Sequence, residues 1–264
     1  FSATDPQTPS QLLTIKPDAF FFNQLQPGKI ENSSIAPLEN NFFGLKVPDG
    51  RSLLLVGGEI AIDEGVLNAN GGRVDLAGLA GNGTVGLNFD ANDLSLTVPD
   101  DVERADVSLN NLAFIDVSGD GSGSIAVNAR NFELKEESFL FAGVNSDLGT
   151  ADAQAGDITI NATDKVLFDN SFASNQVVPG TVVNSGDISI TTGSLDVLNG
   201  AYLQASTLGE GDAGSVNINA TDLVKFDGEF PTGAFSQVNE SAEGNSGGIS
   251  INTGSLEVLN AARL

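Results

Sequence analysis

The feature that most constrains this chain is a phrase that returns four times in its second half. Gly156-Asp157-Ile158-Thr159-Ile160-Asn161-Ala162-Thr163-Asp164 is answered by Gly186-Asp187-Ile188-Ser189-Ile190-Thr191-Thr192-Gly193-Ser194. Gly214-Ser215-Val216-Asn217-Ile218-Asn219-Ala220-Thr221-Asp222 and Gly247-Gly248-Ile249-Ser250-Ile251-Asn252-Thr253-Gly254-Ser255 complete the set. The copies recur at roughly 28 to 33 residues, a period that marks stacked supersecondary units. Each opens on an apolar-polar-apolar alternation, the pattern of a strand with one buried face. Phe168, Leu198, Phe226 and Leu259 each follow eight residues after Ile160, Ile190, Ile218 and Ile251. That constant offset predicts a turn of fixed length between the first two strands of every unit, but Val166-Leu167-Phe168 and Leu195-Asp196-Val197-Leu198 cannot both alternate in one register, which leaves the phase of the middle strand open. A third strand is predicted at Phe172-Ala173-Ser174, Ala201-Tyr202-Leu203-Gln204 and Ala234-Phe235-Ser236-Gln237. With about three short strands per unit and no helical segment between them, the expected fold is all-β, each unit one coil of a parallel β-helix.

Between the repeated phrases the sequence varies, as in Leu208-Gly209-Glu210-Gly211-Asp212-Ala213. These acidic, Gly-rich stretches are expected as solvated loops leaving one corner, because insertions in repeat proteins fall on one face. The first half has the same texture: Leu53 to Val56, Ile60-Ala61-Ile62, Arg73-Val74-Asp75-Leu76, Leu94-Ser95-Leu96-Thr97-Val98, Val107-Ser108-Leu109 and Ile125-Ala126-Val127 all suggest short strands. Phe20-Phe21-Phe22 is expected to close one coil's core. Some nine coils are expected, and the last, Leu259-Asn260-Ala261-Ala262-Arg263-Leu264, stops where an earlier unit continues, which suggests a longer rod cut mid-coil.

Composition narrows the chemistry. The 264 residues carry 35 Asp+Glu against 11 Lys+Arg, a net charge of -24, and no His, Cys, Met or Trp. A thiolate nucleophile, a Ser-His-Asp triad and a zinc site on nitrogen and sulfur ligands are therefore excluded. Charge of this sign repels nucleic-acid phosphate and anionic membrane surfaces, where affinity rests on Lys and Arg. No run reaches the ~18 apolar residues of a membrane span, so no membrane insertion is expected.

Whole phrases carry a resemblance. Phe1-Ser2-Ala3-Thr4-Asp5-Pro6, Val47-Pro48-Asp49-Gly50-Arg51-Ser52-Leu53-Leu54-Leu55-Val56-Gly57-Gly58, Arg73-Val74-Asp75-Leu76-Ala77-Gly78-Leu79-Ala80 and Arg104-Ala105-Asp106-Val107-Ser108, with the Gly-Asp-Ile-Ser-Ile repeats, resemble the large cyanobacterial exoproteins of the filamentous haemagglutinin type. The resemblance implies a right-handed parallel β-helix exported by two-partner secretion, through a dedicated outer-membrane transporter that recognises the full-length protein. Residues 1–90 then resemble the tail of the haemagglutination-activity domain and its junction, and residues 91–264 the repetitive rod. The family's Asn-Pro-Asn-Gly motif is missing, so this segment is not expected to direct its own secretion. What is implied is a rod segment of a secreted or surface-exposed adhesin-like protein, which extends and makes multivalent contacts with surface glycans or other cells, without catalysis or cofactor.

Other chemistries leave candidates. Gly81-Asn82-Gly83-Thr84-Val85-Gly86 and Gly209-Glu210-Gly211-Asp212-Ala213-Gly214 satisfy the dinucleotide pattern, but both run into strand-like sequence rather than the helix that pattern requires. Asp120, Glu210 and Asp212 are candidate oxygen ligands for Ca²⁺, although calcium-loop spacing is absent and a solvated loop is the simpler reading. The alternative function is a carbohydrate-active β-helix lyase or hydrolase with paired carboxylates; Asp100-Asp101 and the column Asp157 and Asp187 are its candidates. Asn161-Ala162-Thr163 and Asn219-Ala220-Thr221 match a glycosylation sequon and suit an Asn ladder better. Tyr202 shares a column with Phe172 and is expected as a wall or core residue rather than a sugar platform.

Overall fold

The computed structural model describes residues 18–23, 26–37, 43–90, 93–120, 123–145 and 154–264. These residues are all-β and contain no helix. In chain order the strands are β1 (Ala19–Phe22), β2 (Ile30–Asn32), β3 (Leu45–Lys46), β4 (Ser52–Gly57), β5 (Ile60–Asp63), β6 (Val66–Asn68), β7 (Arg73–Gly78), β8 (Gly83–Asp90) and β9 (Asp93–Thr97). They continue as β10 (Val107–Asn110), β11 (Phe114–Asp116), β12 (Ser124–Lys135), β13 (Phe139–Val144), β14 (Ile158–Asp169), β15 (Phe172–Val177), β16 (Ile188–Thr192) and β17 (Ser194–Leu198). The last are β18 (Tyr202–Thr207), β19 (Ser215–Ala220), β20 (Leu223–Asp227), β21 (Gly233–Val238), β22 (Gly248–Asn252) and β23 (Ser255–Leu259).

Parallel pairing gathers most of them into three faces. The first runs β4, β7, the start of β12, the start of β14, β16, β19 and β22. The second runs β2, β5, β10, the ends of β12 and β14, then β17, β20 and β23. The third runs β3, β6, β11, β13, β15, β18 and β21. Successive strands therefore visit the faces in turn, and each strand pairs with its counterpart one level later in the sequence. Strict register makes the alternation pay off: Val74, Ile125, Ile158, Ile188, Val216 and Ile249 form one inward column of the first face. Phe132, Phe168 and Phe226, fully buried, stand among inward columns of the second face, and Leu140 and Leu203 in the third. One apolar cluster runs through all these levels.

The turn between the first and second faces is not of fixed length. Phe168 pairs with Val197, and Val197 with Phe226, whereas Leu198 and Leu259 stand in the outward column of Asp169 and Asp227. The inward residue thus comes eight positions after Ile160 and Ile218 but seven after Ile190 and Ile251. The shorter turn is made with Gly193 or Gly254 where the longer one uses Thr163-Asp164 or Thr221-Asp222. Glycine is required at 193 because a Cβ there would lie 2.4 Å from the Asp164 carbonyl oxygen below. Long and short turns alternate from level to level, so the repeat has a second period of two.

The corner from the second to the third face is turned by one or two left-handed residues immediately after the strand. Glu64, Asn111, Glu136, Asn170, Asn199 and Asn260 have φ between 46° and 58°. Asn suits this conformation, and its amide binds the previous level: Asn199 Nδ2 donates to Asp169 Oδ1 at 2.7 Å and Asn260 Nδ2 to Asp227 Oδ1 at 2.7 Å.

Two expectations fail at the amino-terminal side. Leu94–Val98 is not part of the parallel faces: β9 pairs antiparallel with β8, and β8 with β1, in a small separate sheet. Phe20-Phe21-Phe22 lies in β1 of that sheet; Phe22 packs with Leu79, Val85, Leu87 and Leu96, while Phe21 is 74% exposed. The reason is the 28-residue segment between β7 and β10, which leaves the first face and folds back over its outer surface. Its edge strand β9 is satisfied by side chains rather than by another strand. The Leu94 N–H donates to Ser52 Oγ at 2.8 Å and the Leu96 N–H to the fully buried Asp75 at 2.7 Å. Arg73 Nε, 2.6 Å away, compensates the Asp75 charge.

Phe168→Ala, which empties a packed level, is expected to cost ~3–5 kcal/mol in denaturant unfolding. Leu112→Gly is expected to raise stability by up to ~1 kcal/mol, because Leu112 is 61% exposed with φ 63° and glycine relieves that strain.

Candidate functional site

Two of the candidate carboxylates, Asp157 and Asp187, are engaged with the level next to them. Asp157 Oδ1 accepts the Asp187 N–H at 2.8 Å, and Asp187 Oδ1 accepts the Ser215 N–H at 2.7 Å. These acids cap the first-face strands of the following level, which leaves them poorly placed as an acid and base pair. Asp100 lies in the turn after β9, exposed, with Arg104 Nη2 at 3.7 Å. It belongs to the segment over the first face and does not join the Asp157 and Asp187 column.

The calcium candidates are not brought together. Asp120 follows the Gly119 bridge to Val144, and its Oδ1 lies 2.8 Å from where a Cβ on Gly71 would stand. Glu210 and Asp212 sit levels away. Asp212 Oδ1 accepts both the backbone N–H and the Nδ2 of Asn245, at 2.8 and 3.0 Å, and its own N–H donates to Asn184 Oδ1 at 2.8 Å. Among the described residues, no three Asp or Glu side chains gather where they could hold a metal ion. The loops of this corner are themselves paired: Val182, Glu210 and Glu243 form successive parallel bridges, and Gln154 bridges Asn184. They bury a small cluster of Val144, Ala155, Val177 and Val183. The acidic stretches are therefore a short fourth ladder as well as a charged rim.

Both Gly-x-Gly-x-x-Gly stretches lead into strands, β8 and β19, and so lack the helix amino terminus that holds pyrophosphate. Asn161 pairs in register with Asn128 and Thr191, and Asn219 with Thr191 and Asn252; the Asn ladder is interrupted by Thr191, and Asn252 Nδ2 approaches Asn219 Oδ1 at 3.5 Å.

The third face holds what the spacing of Phe172 and Tyr202 only hinted at. Phe114, Phe139, Phe172 and Tyr202 stack in one outward column, with ring centroids 4.0, 4.9 and 5.0 Å apart. The last two contacts are nearly parallel, at 12° and 3°. Tyr202 is thus a wall residue, and burial pushes its hydroxyl above the ordinary phenol range. Rings stacked face to face offer solvent their edges, so the column stiffens the face and leaves little ring area for a sugar to cover.

Comparison with known protein families, curated proteins and solved structures finds no match.

Two further carboxylates escaped notice in the sequence. Asp106 accepts Arg130 in a bidentate pair, at 2.9 and 2.7 Å, and two bonds from Asn131. The guanidinium holds its carboxyl below the usual range. The signal was Asp106 followed by Arg130-Asn131, but their contact depends on β10 and β12 being neighbours. Asp116, on the third face, accepts the Ser118 N–H and Oγ–H at 2.8 and 2.6 Å, yet burial outweighs both and raises its carboxyl above the ordinary range. An open groove of about 740 Å³ runs beside β21, lined by Ser236, Val238, Asn239, Glu240 and Asn245. Its single carboxylate gives no acid and base pair.

The two acids bear oppositely on pH. Stability from Asp106 is present above the unfolded carboxyl range and is lost as pH falls through its depressed value. Asp116 is more readily protonated in the folded state, so stability is lost as pH rises from the unfolded range through its raised value. Asp116→Asn should therefore raise the melting temperature by a few degrees at about pH 7, with the gain vanishing near pH 3 where both residues are neutral.

Proposed function

We propose that this chain is a parallel β-helix of the right-handed type, and that it serves as the rod of an adhesin-like exoprotein rather than as an enzyme. The observation that carries the reading is the level-to-level register. The same three faces recur from β10 to β23, so outward side chains are offered in straight columns at ~4.8 Å spacing. Such a surface presents many weak contacts in series, which suits multivalent attachment to surface glycans or other cells. The carboxylates are spent on capping backbone N–H groups and on ion pairs, as at Asp157, Asp187 and Asp106, which argues for a scaffold rather than a reacting centre. The -24 charge favours solubility of an extended surface and disfavours nucleic acid as a partner.

Secretion to the outer surface by an outer-membrane two-partner transporter completes the proposal for the full-length protein. It rests on the resemblance in sequence phrases to filamentous haemagglutinin-type exoproteins.

Chain coupled at high density to beads should retain glycan-bearing cells, while the same chain free in solution binds them far more weakly. Incubation with neutral and acidic polysaccharides should release no new reducing ends. Release that Asp157→Asn or Asp187→Asn abolishes would replace the rod by a glycan-cleaving enzyme, and beads that retain nothing would remove attachment as the role.

A further inference from the structure

The outward side of the first face stands apart from the rest of the molecule. From β14 onward one column reads Thr159, Ser189, Asn217 and Ser250. Its neighbour, two residues further along each strand, reads Asn161, Thr191, Asn219 and Asn252. Rungs are ~4.8 Å apart and the columns ~6.6–6.8 Å apart, from the spacing and rise of parallel strands. No position of this array carries a charge, in a chain with 35 Asp+Glu. The second face differs: its outward positions include Glu133, Asp169, Asp196, Asp227 and Glu257. Even at the margin of the neutral array, Asp157 and Asp187 direct Oδ1 onto the N–H of the next level.

The polar groups of the array are free to act. Among the described residues, the side chains of Thr159, Ser189, Thr191, Asn217 and Ser250 hold no hydrogen-bond partner. Asn219 and Asn252 meet only each other, at the limiting distance of 3.5 Å. Thr191, Asn219, Ser250 and Asn252 are exposed. The backbone beneath them is held by pairing on both sides from β16 to β19, so the rows are fixed before any ligand arrives.

We propose that this face binds a neutral polysaccharide, whose ring hydroxyls replace water on the fixed rows of hydroxyl and amide groups. This deepens the attachment role proposed above, rests on it, and names its ligand class and its face. Charge selects the ligand. An anionic polymer must approach a -24 molecule, and the one cation it meets is Arg104 at the first rung, 8% exposed and already donating to the Asn161 carbonyl at 3.2 Å, whereas an uncharged chain meets no repulsion. A second copy of the protein is disfavoured because the eight positions offer no large apolar side chain to bury, and burial drives most protein association. The third face competes poorly, since its rings already cover one another. Each hydrogen bond exchanged with water contributes little alone, so affinity grows with the number of rungs one glycan chain spans.

The test is sedimentation of the folded chain with insoluble cellulose and chitin, against alginate and heparin beads as anionic probes, at physiological salt. Thr191→Lys with Asn219→Lys disrupts the rows at exposed positions, and Lys225→Gln on the second face is the control; melting temperatures verify that all three proteins fold. The expected result is binding to cellulose or chitin but not to the anionic beads, weakened at least ~10-fold by the double substitution and unchanged by the control, given two adjacent central rungs lost at once. Neutral glycan bound equally by the double variant would overturn the assignment to this face while leaving attachment intact. Binding to the anionic beads alone would overturn the ligand class. Binding to none of the four, together with beads that retain no cells, would sink the attachment role as well.

Discussion

Parallel register between one level and the next is the constraint on which everything else depends. A strand three to six residues long has no stability of its own, so each must find its hydrogen bonds in the level before and after it. Once register is fixed, period-two alternation sends every second side chain inward at the same height, and identical columns follow. Freedom remains only where the backbone leaves the ladder. The segment between β7 and β10 uses that freedom: both strands keep their columns, Val74 beneath Ile125 and Leu109 beside Leu134, while the intervening chain forms a hairpin elsewhere.

Much of this was legible in the sequence because stacking repeats the same demand. The Ile-x-Ile pairs at 158, 188 and 249 and the third strands at Phe172 and Tyr202 occupy the predicted columns. Leu198 and Leu259 misled for a specific reason. Both are apolar and eight residues past an isoleucine, so hydropathy alone equated them with Phe168 and Phe226. What distinguishes them is one residue of turn, Gly193 or Gly254 in place of Thr-Asp, and the need for that glycine lies in a carbonyl oxygen contributed by the preceding level. The hairpin escaped for a similar reason. Leu94–Val98 alternates like any half-buried strand, and alternation does not tell a parallel partner from an antiparallel one.

Side-chain chemistry was less legible than fold, because the partner of each acid lies a whole repeat away. Asp187 is an unremarkable turn residue until Ser215 is placed beside it, and Asp75 is one letter of a phrase until Leu96 descends on it. Asp75 shows how much such a contact can carry. A fully buried carboxylate with a guanidinium and a backbone N–H as partners is costly to form and more costly to break, which ties the small antiparallel sheet to the first face in one arrangement. The charge of -24 is thus not one property: part caps strands, part pairs with Lys and Arg, and part lines the rim.

The two-level alternation of turns also addresses a difficulty inherent in stacking. Identical levels would place identical charges ~4.8 Å apart, where like charges repel by about 1 kcal/mol even in water. On the second face the outward column runs Asp169, Leu198, Asp227, Leu259, so acids face one another only across an intervening leucine. That doubles their separation to nearly the ~10 Å over which salt screens charge. The adjacent column runs Glu133, Leu167, Asp196, Lys225, Glu257, so that a leucine or a lysine stands between each acid and the next. The one-residue change in the turn that sends Leu198 outward is therefore what lets acids occupy every second rung. Glu210 above Glu243 breaks the pattern on the exposed corner, where water screens both carboxylates, and Asp157 beside Asp187 breaks it where each carboxylate accepts an N–H of the next level. The faces accept charge only at spacings the ladder tolerates, and the first face, whose levels pack nearly identical rungs, excludes it from its array altogether.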